Sequence, residues 1–146
     1  MARYFKFIVH SAQFIVLLLA LALAFPLTLT FSSCQEGRDA GDLLGQWRMT
    51  GSDSKYVSFS GSIAEFRYVE DGALRQFVFG NFQHVGDSLF IQCYSIDEEQ
   101  KIIDKELIEN TYNMKPFDNI RVKIEVLDGN HLSLSKDGQW WYFYKY

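Results

Sequence analysis

The chain has 146 residues, a formal net charge of −4 and a hydrophobic content of 48%. A length of this order favours one domain. The acidic balance repels phosphate backbones, which argues against a nucleic-acid partner. The sequence contains no Gly-rich phosphate-binding loop, and Ser60 lies in no nucleophile motif. An enzyme is therefore not expected.

The first 33 residues have the pattern of a secretory leader. They contain the basic residues Arg3 and Lys6 and no acidic residue, and an unbroken apolar run over 14–25 is closed by Pro26. A basic start, an apolar segment and small residues before a break are typical of a signal peptide. Residues 1–33 are therefore predicted to be a signal peptide, with the rest of the chain facing outward from the cytoplasm.

The four residues Phe31 to Cys34, "FSSC", resemble the lipobox of bacterial lipoproteins. In that motif an apolar residue, usually leucine, and two small residues precede a cysteine that receives diacylglycerol before cleavage. The resemblance implies that Cys34 is the lipidated N-terminus, and Gln35 favours the outer membrane over the inner one. Two alternatives stay open: an uncleaved anchor, since about 20 apolar residues span a bilayer, and a buried thiol.

Cleavage before Cys34 would remove two cations and leave twelve basic and eighteen acidic residues, a net charge of −6. With Cys34 used by the lipid, Cys93 has no partner for an intramolecular disulfide. Cys93 lies in the apolar stretch "SLFIQCYSI". A lone cysteine in such a stretch is predicted to fill a position in the core.

The mature chain divides into a polar tether, residues 34–42, and a domain over residues 43–146. Within the domain, Asp-Gly or Gly-Asp pairs at 71–72, 86–87, 128–129 and 137–138 indicate hairpins, because glycine accepts the positive φ of such turns. The predicted strands are 45–52, 55–69, 73–85, 88–96, 119–127, 131–135 and 139–146.

Two of these strands show a particular pattern. The strand over 119–127 alternates, and its core face is predicted to carry Ile120, Val122, Ile124 and Val126. The strand over 55–69 changes phase, so that a bulge near Gly61 is predicted.

Residues 97–113 fit a short helix or an eighth strand around 107–112, and this choice stays open. Seven or eight strands joined mostly by hairpins predict an all-β domain, a small barrel or a sandwich.

Gly45 and Trp47, in "LLGQWRM" at the start of the first strand, resemble the Gly-x-Trp signature of lipocalins. In that family the tryptophan plugs the closed end of an up-and-down barrel, and a basic residue near the end of the last strand lies across its ring. Lys145 matches that residue, where arginine is usual. A cation over an indole ring contributes about 0.5–2 kcal/mol.

Overall the chain is similar to short lipocalin-like lipoproteins of Gram-negative envelopes. This resemblance implies a small antiparallel up-and-down barrel of about eight strands, preceded by a lipoprotein signal peptide.

A barrel rich in aromatic side chains is compatible with two functions. In the first, its interior holds one small hydrophobic ligand; in the second, the same side chains fill the interior. The candidate ligand-lining residues are Phe66, Tyr68, Phe79, Val122, Ile124, Leu134, Trp141 and Phe143.

The alternative is a solid barrel that binds a protein or a glycan through its outer face. An exposed aromatic stripe on the last strand would mark that contact surface. Its predicted members are Trp140, Tyr142, Tyr144 and Tyr146. No cofactor and no metal are expected, because His84 and His131 have no ligand-spaced partner and residues 97–99 lack the pattern of a calcium loop.

Overall fold

The computed structural model describes residues 40–146; the predictions for residues 1–33 and for Cys34 lie outside the described residues. The described chain forms a closed barrel in which every strand pairs with its sequence neighbours and β1 pairs with β8. All of these pairs are antiparallel. The strands are β1 Gly45–Met49, β2 Lys55–Ser60, β3 Ile63–Glu70, β4 Ala73–Val85, β5 Ser88–Tyr94, β6 Ile120–Leu127, β7 His131–Lys136 and β8 Gln139–Lys145.

Three helical elements complete the described fold. A 3-10 helix, Gly41–Leu43, precedes β1, and the connection from β5 to β6 contains α1, Glu98–Glu106, followed by a π-helical turn, Leu107–Thr111. The open choice for residues 97–113 is thus settled in favour of a helix. The Asp97 carboxylate caps α1 by accepting a hydrogen bond from the backbone N–H of Gln100 at 2.7 Å. None of the helices in residues 40–146 has the length and apolar character needed to cross a membrane.

Two of the three Asp-Gly pairs form tight turns as predicted, whereas Asp128 and Gly129 lie in a three-residue loop between β6 and β7 without positive φ. Asp71 and Gly72 have φ of 52° and 75°, and Asp137 and Gly138 have φ of 51° and 83°. Positive φ at both central residues defines the turn type that matches the twist of a hairpin.

The bulge predicted near Gly61 is wrong. Ser60 pairs with Ile63 across a two-residue turn, and Gly61 has a φ of 56°. The stretch 55–69 is therefore a hairpin, β2 and β3, and the hairpin explains the change of phase because the chain reverses there. This extra hairpin supplies the eighth strand.

The core lies inside the barrel, and one set of alternating side chains from every strand contributes to it. Val126, which the alternation of β6 placed in the core, is 45% exposed instead. An irregularity in the β6–β7 register between Ile124 and Val126 turns its side chain outward, and Leu127 packs against the core in its place. Ala40 and Leu43 are fully buried, so the packed domain begins before residue 43.

Candidate functional site

Trp47 closes one end of the barrel. Its side chain is fully buried, and its Nε1–H donates to the carbonyl of Leu43 at 2.7 Å. Trp47 and Lys145 are directly paired across β1 and β8, and the Lys145 Nζ lies 4.3 Å from the indole ring centroid while also donating to the carbonyl of Leu44. The predicted pairing of Trp47 with a cation is confirmed.

Glycine at position 45 is required at this end of the barrel for a steric reason. Its φ is +116°, and a Cβ added there would lie 2.9 Å from Cε of Lys145. A side chain at position 45 would both strain the backbone and push the lysine away from Trp47. The Gly-x-Trp motif and Lys145 are thus one packed unit.

The connection between β5 and β6 closes the other end, and Tyr112 is its central side chain. Tyr112 is 1% exposed, and its ring meets Phe66 edge to face at 5.2 Å between centroids. Its hydroxyl accepts from the Tyr56 N–H at 3.0 Å and lies 2.6 Å from the Arg67 carbonyl oxygen, to which it donates. The Trp141 Nε1–H donates to the Tyr112 carbonyl at 2.8 Å. We call residues 98–117 the plug.

Side chains on the rim of the barrel hold the plug in place. They reach backbone carbonyls of the plug from four different strands, over 2.5–3.3 Å. The donors are Lys55, Gln76, Lys136 and Gln139. Leu107, Ile108, Met114 and Phe117 of the plug are buried in the same core cluster as the strands.

The predicted ligand-lining residues do not all face the interior. Five are at most 5% exposed and two are partly buried against the core cluster. The five are Phe66, Val122, Leu134, Trp141 and Phe143, and the two are Tyr68 and Ile124.

Phe79 is the exception, and its assignment was wrong. It is 36% exposed, because its neighbours Val78 and Gly80 occupy the inward positions of β4. Its ring packs instead against that of Phe77 on the outer face, with 5.3 Å between centroids.

Cys93 is a core thiol, as predicted. It is 4% exposed, and burial, assisted by the nearby Asp104 carboxylate, raises the pKa of Cys93 to about 12. A thiol that stays protonated at neutral pH is a poor nucleophile. Asp104 is itself buried and accepts from Ser95 Oγ at 2.6 Å and from Gln100 Nε2 at 2.7 Å.

His84 and His131 are both exposed, and the ring of His131 lies beside Asp128 at 3.3 Å. Within residues 40–146, no three His, Cys, Asp or Glu side chains come together as metal ligands would.

The outer surface of β8 carries exposed aromatic rings, as predicted. Trp140 is 48% exposed and Tyr142 51%, and their rings are nearly parallel at 9° with centroids 5.9 Å apart. The Arg48 guanidinium, from β1, lies 4.7 Å from the ring centroid of Tyr144 and 5.2 Å from that of Tyr146. We call these five residues the β8 face.

A second surface feature was missed by the sequence analysis. An open groove of about 1050 Å³ runs along β4, β5 and the start of β6, and it is lined by the carboxamides of Asn81, Gln83, Gln92 and Asn119. We call it the amide groove. The signal was the alternation of Asn81 and Gln83 with the buried Phe82 near the end of β4, which is unusual because Asn is depleted in strands.

An eight-stranded up-and-down barrel with a buried tryptophan beneath a cation is the architecture of lipocalin-like proteins. A family model described as a lipocalin-like domain matches residues 29–146, and the chain belongs to this family.

Two solved structures are similar. One is a lipocalin-like protein from Bacteroides uniformis ATCC 8492, with a TM-score of 0.59 and 24% identity over 73% of this chain and 100% of that one. The other is an uncharacterized protein from Bacteroides eggerthii DSM 20697, with a TM-score of 0.57 and 17% identity over 71% of this chain and 99% of that one. At these identities the likeness shows the fold alone. No curated protein matches the chain.

Proposed function

We propose that this protein is a lipid-anchored envelope barrel that acts by binding another protein through its outer surface, without catalysis. The observation that carries this proposal is the β8 face, where Trp140 and Tyr142 are each about half exposed on a regular strand. Large rings left in water on a closed barrel are typical of a contact surface.

The composition of the β8 face favours a protein partner. Trp, Tyr and Arg are the residue types that dominate the energetics of protein interfaces. The Arg48 guanidinium is already held between two rings and by Asp53 at 3.2 Å, so little conformational freedom is lost on binding. Across from Trp140 and Tyr142 the β7 strand presents Ser135 and Ser133, whose small side chains leave the rings accessible.

The filling of the barrel argues against a hydrophobic ligand inside it. Trp47 closes one end, and the plug places Tyr112 against Phe66 and Trp141, two of the residues expected to line a ligand site. A ligand would have to displace Tyr112 and remove the buried hydroxyl that bonds to the Tyr56 N–H and the Arg67 carbonyl. Removing one partner of a buried hydrogen bond costs about 1–3 kcal/mol.

The anchor proposed for the barrel is Cys34 in the outer membrane, on the basis of the leader and the "FSSC" motif. Five residues, 35–39, separate Cys34 from the buried Ala40 in the sequence. The mass of the protein extracted from membranes is expected to correspond to residues 34–146 plus lipid. A mass that includes residues 1–33 would refute lipidation.

The β8 face is tested by a photo-crosslinking residue placed at Tyr142 in the native host. We expect a discrete adduct with one protein, which disappears when Trp140 is changed to Ser in the same chain. A crosslinker at Lys101, exposed on α1, is the matched control and is expected to give no such adduct. Equal adducts from both positions, or none from Tyr142, would contradict the proposal.

Native mass spectrometry of the purified protein tests the rival function. The filled barrel predicts no co-purified adduct of lipid size beyond the covalent anchor. A non-covalent adduct that is lost in Phe66→Trp would establish an interior ligand and overturn this part of the proposal.

A further inference from the structure

The amide groove lies on the side of the barrel opposite the β8 face, because β4 and β5 are separated from β8 and β1 by half of the strand order. Its volume of about 1050 Å³ slightly exceeds the ~300–1,000 Å³ typical of pockets for small molecules. It is therefore large enough for a ligand of several rings.

The polar groups of the groove form an ordered array. Asn81 on β4 is directly opposite Gln92 on β5, and Gln83 is directly opposite Phe90. Asn119, which precedes β6, accepts a hydrogen bond from Nε of Arg121 at 3.0 Å. Asn81 and Gln92 thus lie side by side on a rigid sheet, where pairing fixes their spacing at about 4.5–5.5 Å.

The chemistry of this array matches a neutral ligand. Among the side chains that line the groove, only Asp118 and His84 are ionisable. A carboxamide presents both an acceptor oxygen and two N–H donors, so a row of them suits a ligand whose every polar group both donates and accepts. Hydroxyl groups have this property. The ring of Phe90, partly exposed, adds an apolar surface beside them.

We propose that the amide groove binds a neutral oligosaccharide. The carboxamides hydrogen-bond to its hydroxyls, and Phe90 packs against the apolar face of one sugar ring. This inference does not depend on the protein partner proposed for the β8 face, because the two surfaces share no residue.

Two other ligand classes fit less well. An extended peptide is usually recognised by adding a strand to a free sheet edge, and the barrel formed by the described residues is closed. A phosphorylated ligand needs cations, whereas the flanking Arg121 is already engaged by Asn119 and by Phe90, whose ring centroid is 5.7 Å away.

The test is a titration of the full chain, in a detergent without sugar groups, with maltohexaose, mannohexaose and chitohexaose, followed by NMR of the backbone amides. At least one of the three is expected to shift the signals of Gln83 and Gln92 selectively at millimolar concentration. Gln92→Val, which removes one carboxamide while suiting a strand, is expected to weaken binding at least tenfold. Gln46→Val, an outward-facing amide on β1 across from Ser58, is the matched control and is expected to bind as the parent does.

Other outcomes would overturn the inference. These are the absence of any shift with all three oligosaccharides, shifts confined to the β8 face, or an equal loss of binding in Gln46→Val. Selective shifts at the groove with a neutral hexapeptide, but with none of the sugars, would assign it to peptides instead. The crosslinking at Tyr142 reports separately on the proposed protein partner, so the two proposals fail independently.

Discussion

At the scale of single residues, the Gly-x-Trp motif carried the most information in the sequence. It located the first strand, predicted a buried tryptophan and pointed to Lys145 as its partner 98 positions away, all of which the register of β1 and β8 confirms. The motif is informative because its residues depend on each other sterically. A Cβ at position 45 would occupy the space taken by the lysine side chain.

This dependence predicts non-additive stability effects. Gly45→Ala is expected to destabilise the protein by the strain of a positive φ, about 1–3 kcal/mol, plus the cation–π contact of about 0.5–2 kcal/mol that is lost when Lys145 is displaced. In a Lys145→Ala background only the strain remains, so the cost of Gly45→Ala becomes smaller. Urea denaturation of the four proteins measures this coupling.

Gly51→Ala is the control for strain alone, since Gly51 also has a positive φ, +78°, but has no atom within 4 Å of an added Cβ. Its cost is expected to be the same in both backgrounds. Strict additivity of Gly45→Ala and Lys145→Ala would contradict the account of the motif.

At the scale of elements, the sequence predicted turns better than it predicted connections. Asp-Gly pairs forced hairpins at 71–72 and 137–138 because both residues accept positive φ. The turn at Gly61 carries serine on both sides, and a hairpin there could not be distinguished from a bulge. The choice between helix and strand in the plug could not be made from the sequence, because the contacts of the plug with the barrel are made by rim side chains distant in sequence, such as Lys55.

The plug predicts a specific role for one hydroxyl group. Tyr112→Phe keeps the ring against Phe66 but leaves the Tyr56 N–H and the Arg67 carbonyl without this buried partner. A loss of about 1–3 kcal/mol in the free energy of unfolding is expected, together with faster hydrogen exchange at Tyr56. Tyr142→Phe, on the exposed β8 face, is the control, with a change within about 0.5 kcal/mol. Equal effects in the two variants would mean that the hydroxyl of Tyr112 contributes little.

At the scale of the whole molecule, the fold class followed from the sequence while the candidate sites followed only in part. The β8 face was predicted because strict alternation put aromatic residues on both faces of the last strand. The prediction of ligand-lining residues was wrong at Phe79. Which residues of β4 face the interior depends on which of them pairs with the inward-facing Phe66, and that residue is Val78. The amide groove was not predicted because polar residues on a single strand have the pattern of ordinary solvated surface. Only the fold shows that three neighbouring strands bring these residues together.

The filled interior also makes the stability of the whole barrel sensitive to alkaline pH. Burial raises the pKa of Cys93 from 9.0 to about 12, and it raises the pKa of Tyr112 well above its usual 10.0. Because both groups stay protonated in the folded state, the unfolded state releases protons first, and stability falls as pH rises above 9. Each group contributes a slope of about 1.4 kcal/mol per pH unit above its unfolded pKa.

Thermal unfolding between pH 8 and 11 measures this loss, and Cys93→Ala separates the two groups. In that variant the decline between pH 9 and 10 is expected to become much smaller, since Tyr112 of the unfolded chain, with a pKa of 10.0, is only beginning to lose its proton there. The steeper decline above pH 10 is expected to persist, because Tyr112 still has to lose its proton in the unfolded state. A Cys93→Ala profile that parallels the parent from pH 8 to 10 would show that the thiol titrates normally in the folded barrel, and that the core around it is open to water.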